Sequence, residues 1–352
     1  MMNTQASSIG QLVQRVRIRR VLAAHHVDST RMVRPRDFET EIVGEVAHPL
    51  EIDGWRDFVP LCVDWRGARM VYSRWDDDRA MTDVPFLYQR QRQHARLLVD
   101  VPFDRLDALD HAERMTPTFI FSIGRCGSTL LSRLLTAVGE QAVSEPDVLT
   151  NVAHLDDDAD RAAAESVRER VVRSCVSAFA HACGPTPVIK LRARCNRAVD
   201  VFLNAMPRAR YVFMCRNRVD WVRSNSHAFD DTGESLADLL KVSVEAFDRM
   251  RSSGVDPALV WYEDLLSDPL GALQRILPAR HDLAVRGAAI QRALLADSQE
   301  GSGLSRASLA ARVGDVEANA AAGADALRAF EVRWREIRPE RLLCEHGMSR
   351  LL

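Results

Sequence analysis

FIFSIGRCGSTLL, residues 119–131, is the segment of this 352-residue chain from which its architecture can be predicted. Its first residues are a short apolar run, typical of a buried parallel strand. Gly124 and Gly127 interrupt the run, and leucines at 130, 131, 134 and 135 then recur with helical spacing. The segment therefore predicts a strand, a small-residue loop and a helix. The free amides and the dipole at the start of that helix favour an anion.

This loop lacks the lysine that is found in the loops of proteins that bind nucleoside triphosphates. The Walker A pattern is G-x-x-x-x-G-K-[ST], and its lysine reaches the β- and γ-phosphates. When the chain is aligned on Gly127, Ser122 stands at the first glycine and Ser128 at the lysine. The cation of the loop is Arg125 instead, and we expect it to face a group at the 5′ end of a nucleotide. The alternative is an ordinary polar turn between strand and helix.

The composition is that of an ordinary soluble globular protein, with 47% hydrophobic and 27% charged residues. Lys and Arg number 47 against 49 Asp and Glu, and the net charge of −2 argues against broad nucleic-acid binding. Seven cysteines without a CxxC pair, and no signal peptide, predict a protein of the reducing cytoplasm. No apolar run is long enough to cross a lipid bilayer, so we expect no membrane-spanning segment.

Apolar runs and helical patterns alternate after the loop. The sequence predicts further strands at 187–191, 211–215 and 258–262, and helices at 162–182, 196–205 and 235–250. This alternation predicts a parallel sheet covered by helices on both faces. The C-terminal segment, from position 293 to the end, is rich in alanine and predicts helices.

Two more motifs follow predicted strands. Residues 215–224, CRNRVDWVRS, place Arg216 and Ser224 eight residues apart. An arginine at the carboxyl end of a strand, with a hydroxyl on the next helix, can hold a terminal phosphate. The alternative for Arg216 is a salt bridge at a helix end. Residues 262–269, YEDLLSDP, supply Asp268 and Pro269 as a helix N-cap and first residue.

Together these motifs resemble those of the sulfotransferases that use 3′-phosphoadenosine 5′-phosphosulfate (PAPS). The loop is similar to their 5′-phosphosulfate loop, P-[KR]-x-G-[ST]-[ST]. Residues 215–224 resemble their 3′-phosphate motif, [CYV]-R-[ND]-P-x-D-x-x-x-S, and residues 262–265 their Y-E-D-L strand end. Because Arg125 replaces the lysine of the soluble hormone and phenol enzymes, the chain looks closest to bacterial and tyrosylprotein-type members. The resemblance covers residues 117–277.

The resemblance implies an α/β fold with a P-loop NTPase-like sulfotransferase core, a parallel sheet flanked by helices. We expect this domain at residues 115–352, with a helical C-terminus. An N-terminal α+β extension of unknown role is expected at residues 1–114. The implied reaction moves a sulfuryl group from PAPS to a hydroxyl or amine of a small-molecule acceptor and leaves 3′,5′-ADP. No His or Cys pair has metal-ligand spacing, so no metal is expected, and the net charge and the apolar runs predict no nucleic-acid or membrane partner.

The resemblance also assigns residues. The expected catalytic residues are Arg125, Glu145 and Lys190. The expected cofactor-binding residues are Gly124, Arg125, Cys126, Gly127, Ser128, Thr129, Arg216, Ser224, Tyr262, Ser305 and Arg306. Arg125 and the loop amides would stabilise charge on the leaving phosphate, with Lys190 as a second cation. The alternative for Lys190 is a strand-end lysine whose ammonium reaches solvent.

The base that activates an acceptor hydroxyl is predicted to be Glu145. Glu145 comes after the predicted helix of the phosphate loop, where the chain should return to the carboxyl edge of the sheet. Its Ser-Glu-Pro context resembles the catalytic Glu of tyrosylprotein-type enzymes. The histidine candidates, His154, His181 and His227, lie in segments without a matching motif. The alternative is that Pro146 holds Glu145 in extended conformation, where it pairs with an arginine and does no chemistry.

The chain departs from the family pattern at several points. Gly124 and Arg218 replace prolines of the two phosphate motifs, and Leu130 stands where many relatives have an adenine-stacking tryptophan. The late R-K-G loop is absent, and the segment 301–306 with Ser305 and Arg306 is a candidate substitute for it; the alternative is a flexible surface loop. Two other functions stay open: a nucleotide kinase or other P-loop phosphotransferase, and a non-catalytic nucleotide-binding module.

The first 114 residues carry no recognised motif. Residues 11–24 predict a basic helix, and residues 86–98 predict another helix. Between residues 42 and 71, short apolar runs separated by Pro and Gly predict small strands and turns. The acidic run 76–78 indicates a solvated loop rather than a metal site.

Overall fold

A computed structural model describes residues 15–25, 31–76, 81–155, 161–229, 231–278, 280, 282–300, 305, 307 and 316–352. These residues form two five-stranded sheets, one before residue 103 and one after residue 117. The predicted boundary at residues 114 and 115 falls between the two sheets and stays a prediction.

The first sheet is antiparallel and has the order β2-β1-β5-β4-β3. Its strands are β1 Val16–Ala24, β2 Phe38–Val46, β3 Val59–Asp64, β4 Arg69–Trp75 and β5 Ala95–Pro102. The helix α1, Leu87–His94, runs directly into β5. The small strands predicted between residues 42 and 71 are therefore present. Asp76 lies 3.9 Å from Arg96 in an exposed ion pair, and Asp77 and Asp78 lie outside the described residues.

The prediction of a basic helix at residues 11–24 is wrong, because the part of it that the structure describes is β1. Arg19 shows the reason. Its Nε lies 3.1 Å from Asp100 Oδ1 on β5, and its Nη1 lies 3.1 Å from Thr40 Oγ1 on β2. These partners are distant in sequence, and tertiary contacts of this kind override local propensity.

The helix predicted over residues 86–98 is only half right. It ends at His94, and the chain continues as β5, which lies between β1 and β4 at the centre of its sheet. Leu98, Val99 and Val101 are fully buried there. Apolar residues at the end of a helical pattern cannot by themselves be told from the start of a buried strand.

The second sheet is parallel and has the order β10-β9-β6-β8-β7. Its strands are β6 Thr118–Ser122, β7 Ala142–Ser144, β8 Val188–Lys190, β9 Arg210–Cys215 and β10 Ala258–Trp261. The predicted parallel sheet flanked by helices is thus confirmed. Aromatic side chains pack its core; for example, the Phe119 and Phe121 rings each lie 5.3 Å from the ring of Phe202.

Helices connect these strands and continue beyond them. They are α2 Ser128–Ala137, α3 Asp147–Ala153, α4 Arg161–Cys183, α5 Val199–Ala205, α6 Arg218–Ala228, α7 Gly233–Ser252, α8 Tyr262–Ser267, α9 Pro269–Ile276 and α10 Gly287–Leu295. Two more helices follow, Val316–Ile337 and Glu340–Glu345. Within the described ranges, no helix combines the length and the apolar character needed to cross a lipid bilayer.

The strand order places the candidate site. β6 is central, and the chain reaches β7 and β8 on one side of it before crossing to β9 and β10 on the other. Open parallel sheets bind ligands outside the carboxyl ends of the strands, where the order switches sides. The segments that follow β6, β7, β8 and β9 therefore meet at one edge.

Candidate active site

The loop between β6 and α2 is held by hydrogen bonds to its neighbours. The amide of Ile123 donates to the carbonyl of Met214 at 3.2 Å, and the indole of Trp221 donates to the carbonyl of Gly124 at 2.7 Å. Gly124 and Gly127 have φ of 74° and 83°, and Arg125 has φ of 46°. A non-glycine residue in this left-handed region is uncommon and costs energy, and such strain clusters at functional sites.

Gly127 is required for a second reason. A Cβ built at this position would lie 2.4 Å from Cδ2 of Tyr262. The tyrosine ring therefore packs directly on the loop, at the point where α2 begins. Only glycine allows so close an approach.

Ser128 and Thr129 are the first two residues of α2 and are buried. The first amides of a helix have no carbonyl partner within that helix. The Cys126 side chain faces the protein interior, where its thiol donates to the carbonyl of Met214 at 3.3 Å, and burial raises its pKa to about 11. Cys126 could therefore reach a ligand only through its backbone.

Arg125 and Arg216 converge at the loop. Arg216 directly follows β9, its Nη1 lies 3.5 Å from the carbonyl oxygen of Arg125, and its guanidinium lies 4.8 Å from the ring centroid of Tyr262. Arg125 Nη1 donates to Gln299 Oε1 at 3.2 Å. Burial and then the charge of Arg216 lower the pKa of Arg125. Two crowded cations indicate a place for an anion.

The two guanidinium groups also have unused donors. Among the described residues, Nε of Arg125 and Nε of Arg216 are buried without a hydrogen-bond partner. Arg105 and Arg218 have a buried Nε in the same state, so these donors are available to an anion at the loop but do not by themselves mark the site. Ser224 lies on α6, the helix after Arg216, as the motif predicts. It is half-buried, and the described contacts do not join it to Arg216.

Lys190 and Glu145 meet at the same edge. β8 ends at Lys190, and Glu145 directly follows β7. The amide of Glu145 donates to the carbonyl of Lys190 at 2.8 Å, and the two side chains form an ion pair. Lys190 Nζ also lies 3.2 Å from Thr129 Oγ1 and 5.4 Å from the ring centroid of Phe86. Lys190 is buried, so the alternative of an ammonium that reaches solvent is wrong.

The backbone of Glu145 differs from one alternative that the sequence left open. Its φ is 52°, in the left-handed region, so Pro146 does not hold it in extended conformation. The carboxylate nonetheless has an arginine within range, because Arg192 Nε lies 3.9 Å from Glu145 Oε2. Of that alternative, the arginine partner is therefore present and the extended conformation is not.

Sequence reasoning missed Arg192, Asp147 and Tyr88. Arg192 Nη1 donates to Asp147 Oδ1 at 2.7 Å, and its guanidinium lies 4.8 Å from the ring centroid of Tyr88. Asp147 is fully buried. Asp147 lies two positions after Glu145, and Arg192 lies two positions after Lys190. Their closeness to these predicted site residues, at the edge of the sheet, is the signal that could have identified them. Tyr88 belongs to α1, well before the parallel sheet begins, and nothing local relates it to the site.

The three histidine candidates lie elsewhere. His154 follows α3, and burial together with Arg194 and Arg197 lowers its pKa to about 4. His181 is on α4, where burial, Arg56 and His111 lower its pKa. His227 is exposed near the end of α6. None of the three has a described contact with the loop.

The remaining predicted residues give a mixed result. Ser305 is buried, while Arg306 and residues 301–304 lie outside the described residues. Leu130 is buried on α2. Arg218, at the usual proline, pairs with Glu331 at 2.9 Å and donates to the carbonyl of Leu351 at 3.2 Å, so it links α6 to the C-terminal residues. In the described ranges, no group of three or more His, Cys, Asp or Glu could hold a metal ion.

Comparison with known proteins agrees with the motifs. Residues 117–280 match the model of the Sulfotransferase family, a little under half of the chain. The resemblance deduced from the motifs is therefore confirmed at the level of the family. A search of curated proteins found no match to the chain.

Proposed function

We propose that this protein, whose residues 117–280 match the sulfotransferase family, transfers a sulfuryl group from PAPS to a hydroxyl or amine of a small acceptor. The observation that carries the proposal is the position of Lys190. Its ammonium contacts Thr129 at the start of α2 and pairs with Glu145 after β7. One buried cation thus lies between the predicted donor site and the predicted base.

The residues at the loop fit the donor. Arg125 and the amides at the start of α2 suit the 5′-phosphosulfate, since an arginine and a helix N-terminus both favour an anion. Arg216 suits the 3′-phosphate, and the Tyr262 ring lies near both its guanidinium and the loop. The buried unpartnered Nε atoms of the two arginines supply donors for such groups. When bound, PAPS supplies an activated sulfuryl group.

The chain's own residues divide the chemistry between base and cations. Glu145 takes the proton from the acceptor hydroxyl, because a neutral hydroxyl is a weak nucleophile. Arg125 and Lys190 would stabilise the negative charge that develops on the leaving phosphate, because fixed charges in a water-poor site act strongly. Phe86 covers Lys190 and limits its exchange with solvent.

The experiment that tests the function has two arms. Thermal shift with 3′,5′-ADP, ADP and Mg-ATP should show the largest stabilisation with 3′,5′-ADP, and labelled PAPS should pass its sulfuryl group to members of a panel of phenols, alcohols and amines. Preference for Mg-ATP would instead favour the phosphotransferase. Tight binding of 3′,5′-ADP without transfer to any acceptor would favour the binding module.

A further inference from the structure

The carboxylate of Glu145 contacts two cations rather than one. Oε1 pairs with Lys190, and Oε2 lies 3.9 Å from Nε of Arg192. Lys190 and Arg192 flank Leu191 on the chain, at the end of β8. Each oxygen of the carboxylate therefore has its own positive neighbour, which restricts rotation of the carboxyl group.

Arg192 is itself held from two sides. Asp147 Oδ1 accepts from Nη1 at 2.7 Å, and the Tyr88 ring lies against the guanidinium plane at 4.8 Å. The arginine side chain is only 13% exposed. Burial by itself disfavours the charged form, but Asp147 and Glu145 outweigh it and raise the pKa of Arg192. The Arg192 guanidinium is thus held in one position, and its positive charge is stabilised.

Asp147 is anchored by the N-terminal part of the chain. Its Oδ2 accepts from the amide of Val33 at 2.8 Å, so both carboxylate oxygens have partners. Burial raises the pKa of Asp147, and Arg192 and the Val33 amide oppose that effect. Val33 and Tyr88 both precede the parallel sheet, so the N-terminal region contributes to the group that contacts Glu145.

We propose that Arg192 is a positioning residue for Glu145, held for that role by Asp147 and Tyr88. The inference rests on the proposed function, in which Glu145 is the base. Glu145 has a left-handed backbone and comes directly after β7, so it is not held in the strand. The direction of its carboxylate therefore depends on the side chains around it. The charge of Arg192 beside the second carboxylate oxygen favours one orientation of the Glu145 carboxylate.

The test is a set of variants compared by turnover and by nucleotide affinity. Arg192→Gln should lower kcat about 10- to 100-fold, as expected for a misplaced catalytic group, while the Kd of 3′,5′-ADP stays within about twofold. Arg192→Lys should recover part of the loss. In a Glu145→Gln background, adding Arg192→Gln should lower kcat by less than about twofold, because the carboxylate that Arg192 positions is gone.

Arg19→Gln is the matched control. Arg19 also pairs with a buried aspartate, Asp100, and its side chain has the same 13% exposure, but the pair lies in the first sheet. This variant should leave kcat unchanged. Equal losses in kcat from Arg192→Gln in the wild-type and Glu145→Gln backgrounds would overturn the positioning role, because a merely structural arginine acts the same in both.

Two further measurements separate the possible failures. If Arg192→Gln does not fold with Asp147 unpaired, the double variant Arg192→Gln/Asp147→Asn replaces it. The melting temperatures of the Arg192 and Glu145 single and double variants should be non-additive, and additive losses would overturn the contact itself. Wild-type protein without turnover from PAPS would overturn the proposed function and with it the positioning role of Arg192, whatever the melting temperatures show.

Discussion

The charged side chains at this site form two groups, one of cations alone and one of cations with carboxylates. Arg125 and Arg216 approach each other, and each retains a buried donor without a described partner. Lys190 and Arg192 surround one carboxylate. In the first group the charge is not balanced, which indicates an external anion. In the second group Asp147, which pairs with Arg192, supplies a second carboxylate, so the charge is balanced within the chain.

Arg216→Ala tests the assignment of the 3′-phosphate. We expect the variant to lose about 1.5–3 kcal/mol of binding free energy for 3′,5′-ADP, as for one hydrogen bond to a charged group. Binding of 5′-AMP should change little, because it lacks the 3′-phosphate. Calorimetric titration of both nucleotides measures the difference. Arg173→Ala, which removes a half-buried arginine of α4 that pairs with Asp110, is the control. Equal loss for the two nucleotides would contradict the assignment.

Glu145→Gln tests the base. Turnover should fall by about 10²–10⁴, because the amide cannot take the acceptor proton, whereas affinity for 3′,5′-ADP should stay nearly unchanged. Glu140→Gln is matched in exposure, at 15% against 16%, and also breaks an ion pair, with Arg280. It should keep normal turnover. A Glu145→Gln enzyme with close to the wild-type rate would show that Glu145 is not the base.

Among the secondary-structure elements, the site depends on the loop after β6 and on the carboxyl ends of β7, β8 and β9. The loop after β6 is tied to β9 through Met214 and to α6 through Trp221. Tyr262, the first residue of α8, contacts the loop at Gly127 and the guanidinium of Arg216. A change in the loop is therefore transmitted to the predicted 3′-phosphate residue.

Gly127→Ala tests this coupling. The new Cβ would meet the Tyr262 ring at 2.4 Å, so the ring must shift, and its contact with Arg216 changes with it. We expect weaker binding of both 5′-AMP and 3′,5′-ADP, unlike the selective effect of Arg216→Ala. Gly254→Ala controls for backbone strain, since its φ of 85° is nearly the same and no atom lies within 4 Å of the added Cβ. Normal affinity in Gly127→Ala would show that the close approach does not matter.

Over the protein as a whole, residues that precede the parallel sheet contribute to the candidate site. The N-terminal residues reach the parallel sheet at several points: the hydroxyl of Ser144 donates to the carbonyl of Pro85 at 2.6 Å, and the amide of Val63 donates to Asn151 Oδ1 at 3.0 Å. Phe86 and Tyr88, from α1 and the residue before it, cover Lys190 and Arg192. The N-terminal region therefore forms a wall of the candidate active site.

The positive side chains at this edge of the sheet also predict how activity responds to metal chelation. Arg125, Lys190 and Arg216 are cations supplied by the chain, and they can stabilise developing negative charge without a metal ion. We expect sulfuryl transfer to continue at an unchanged rate in EDTA. The rate is measured with and without EDTA and again after addition of Mg²⁺. An absolute requirement for Mg²⁺ would favour the phosphotransferase.

Local sequence patterns were enough to predict the parallel sheet, the loop and the positions of Arg125, Glu145, Lys190 and Arg216. Apolar runs end at or near these residues, and the carboxyl ends of parallel strands meet at one edge. The family resemblance rested on the same short motifs.

The pairing of β1 and the surroundings of the base depend instead on tertiary contacts. Residues 16–24 have the pattern of a helix in isolation, and their cross-strand partners Thr40 and Asp100 make them a strand. Likewise the contacts of Arg192 with Asp147 and Tyr88 join segments that are far apart in the chain. Burial and ion pairing between such distant segments depend on how the two sheets pack, and no local spacing of residues encodes that packing.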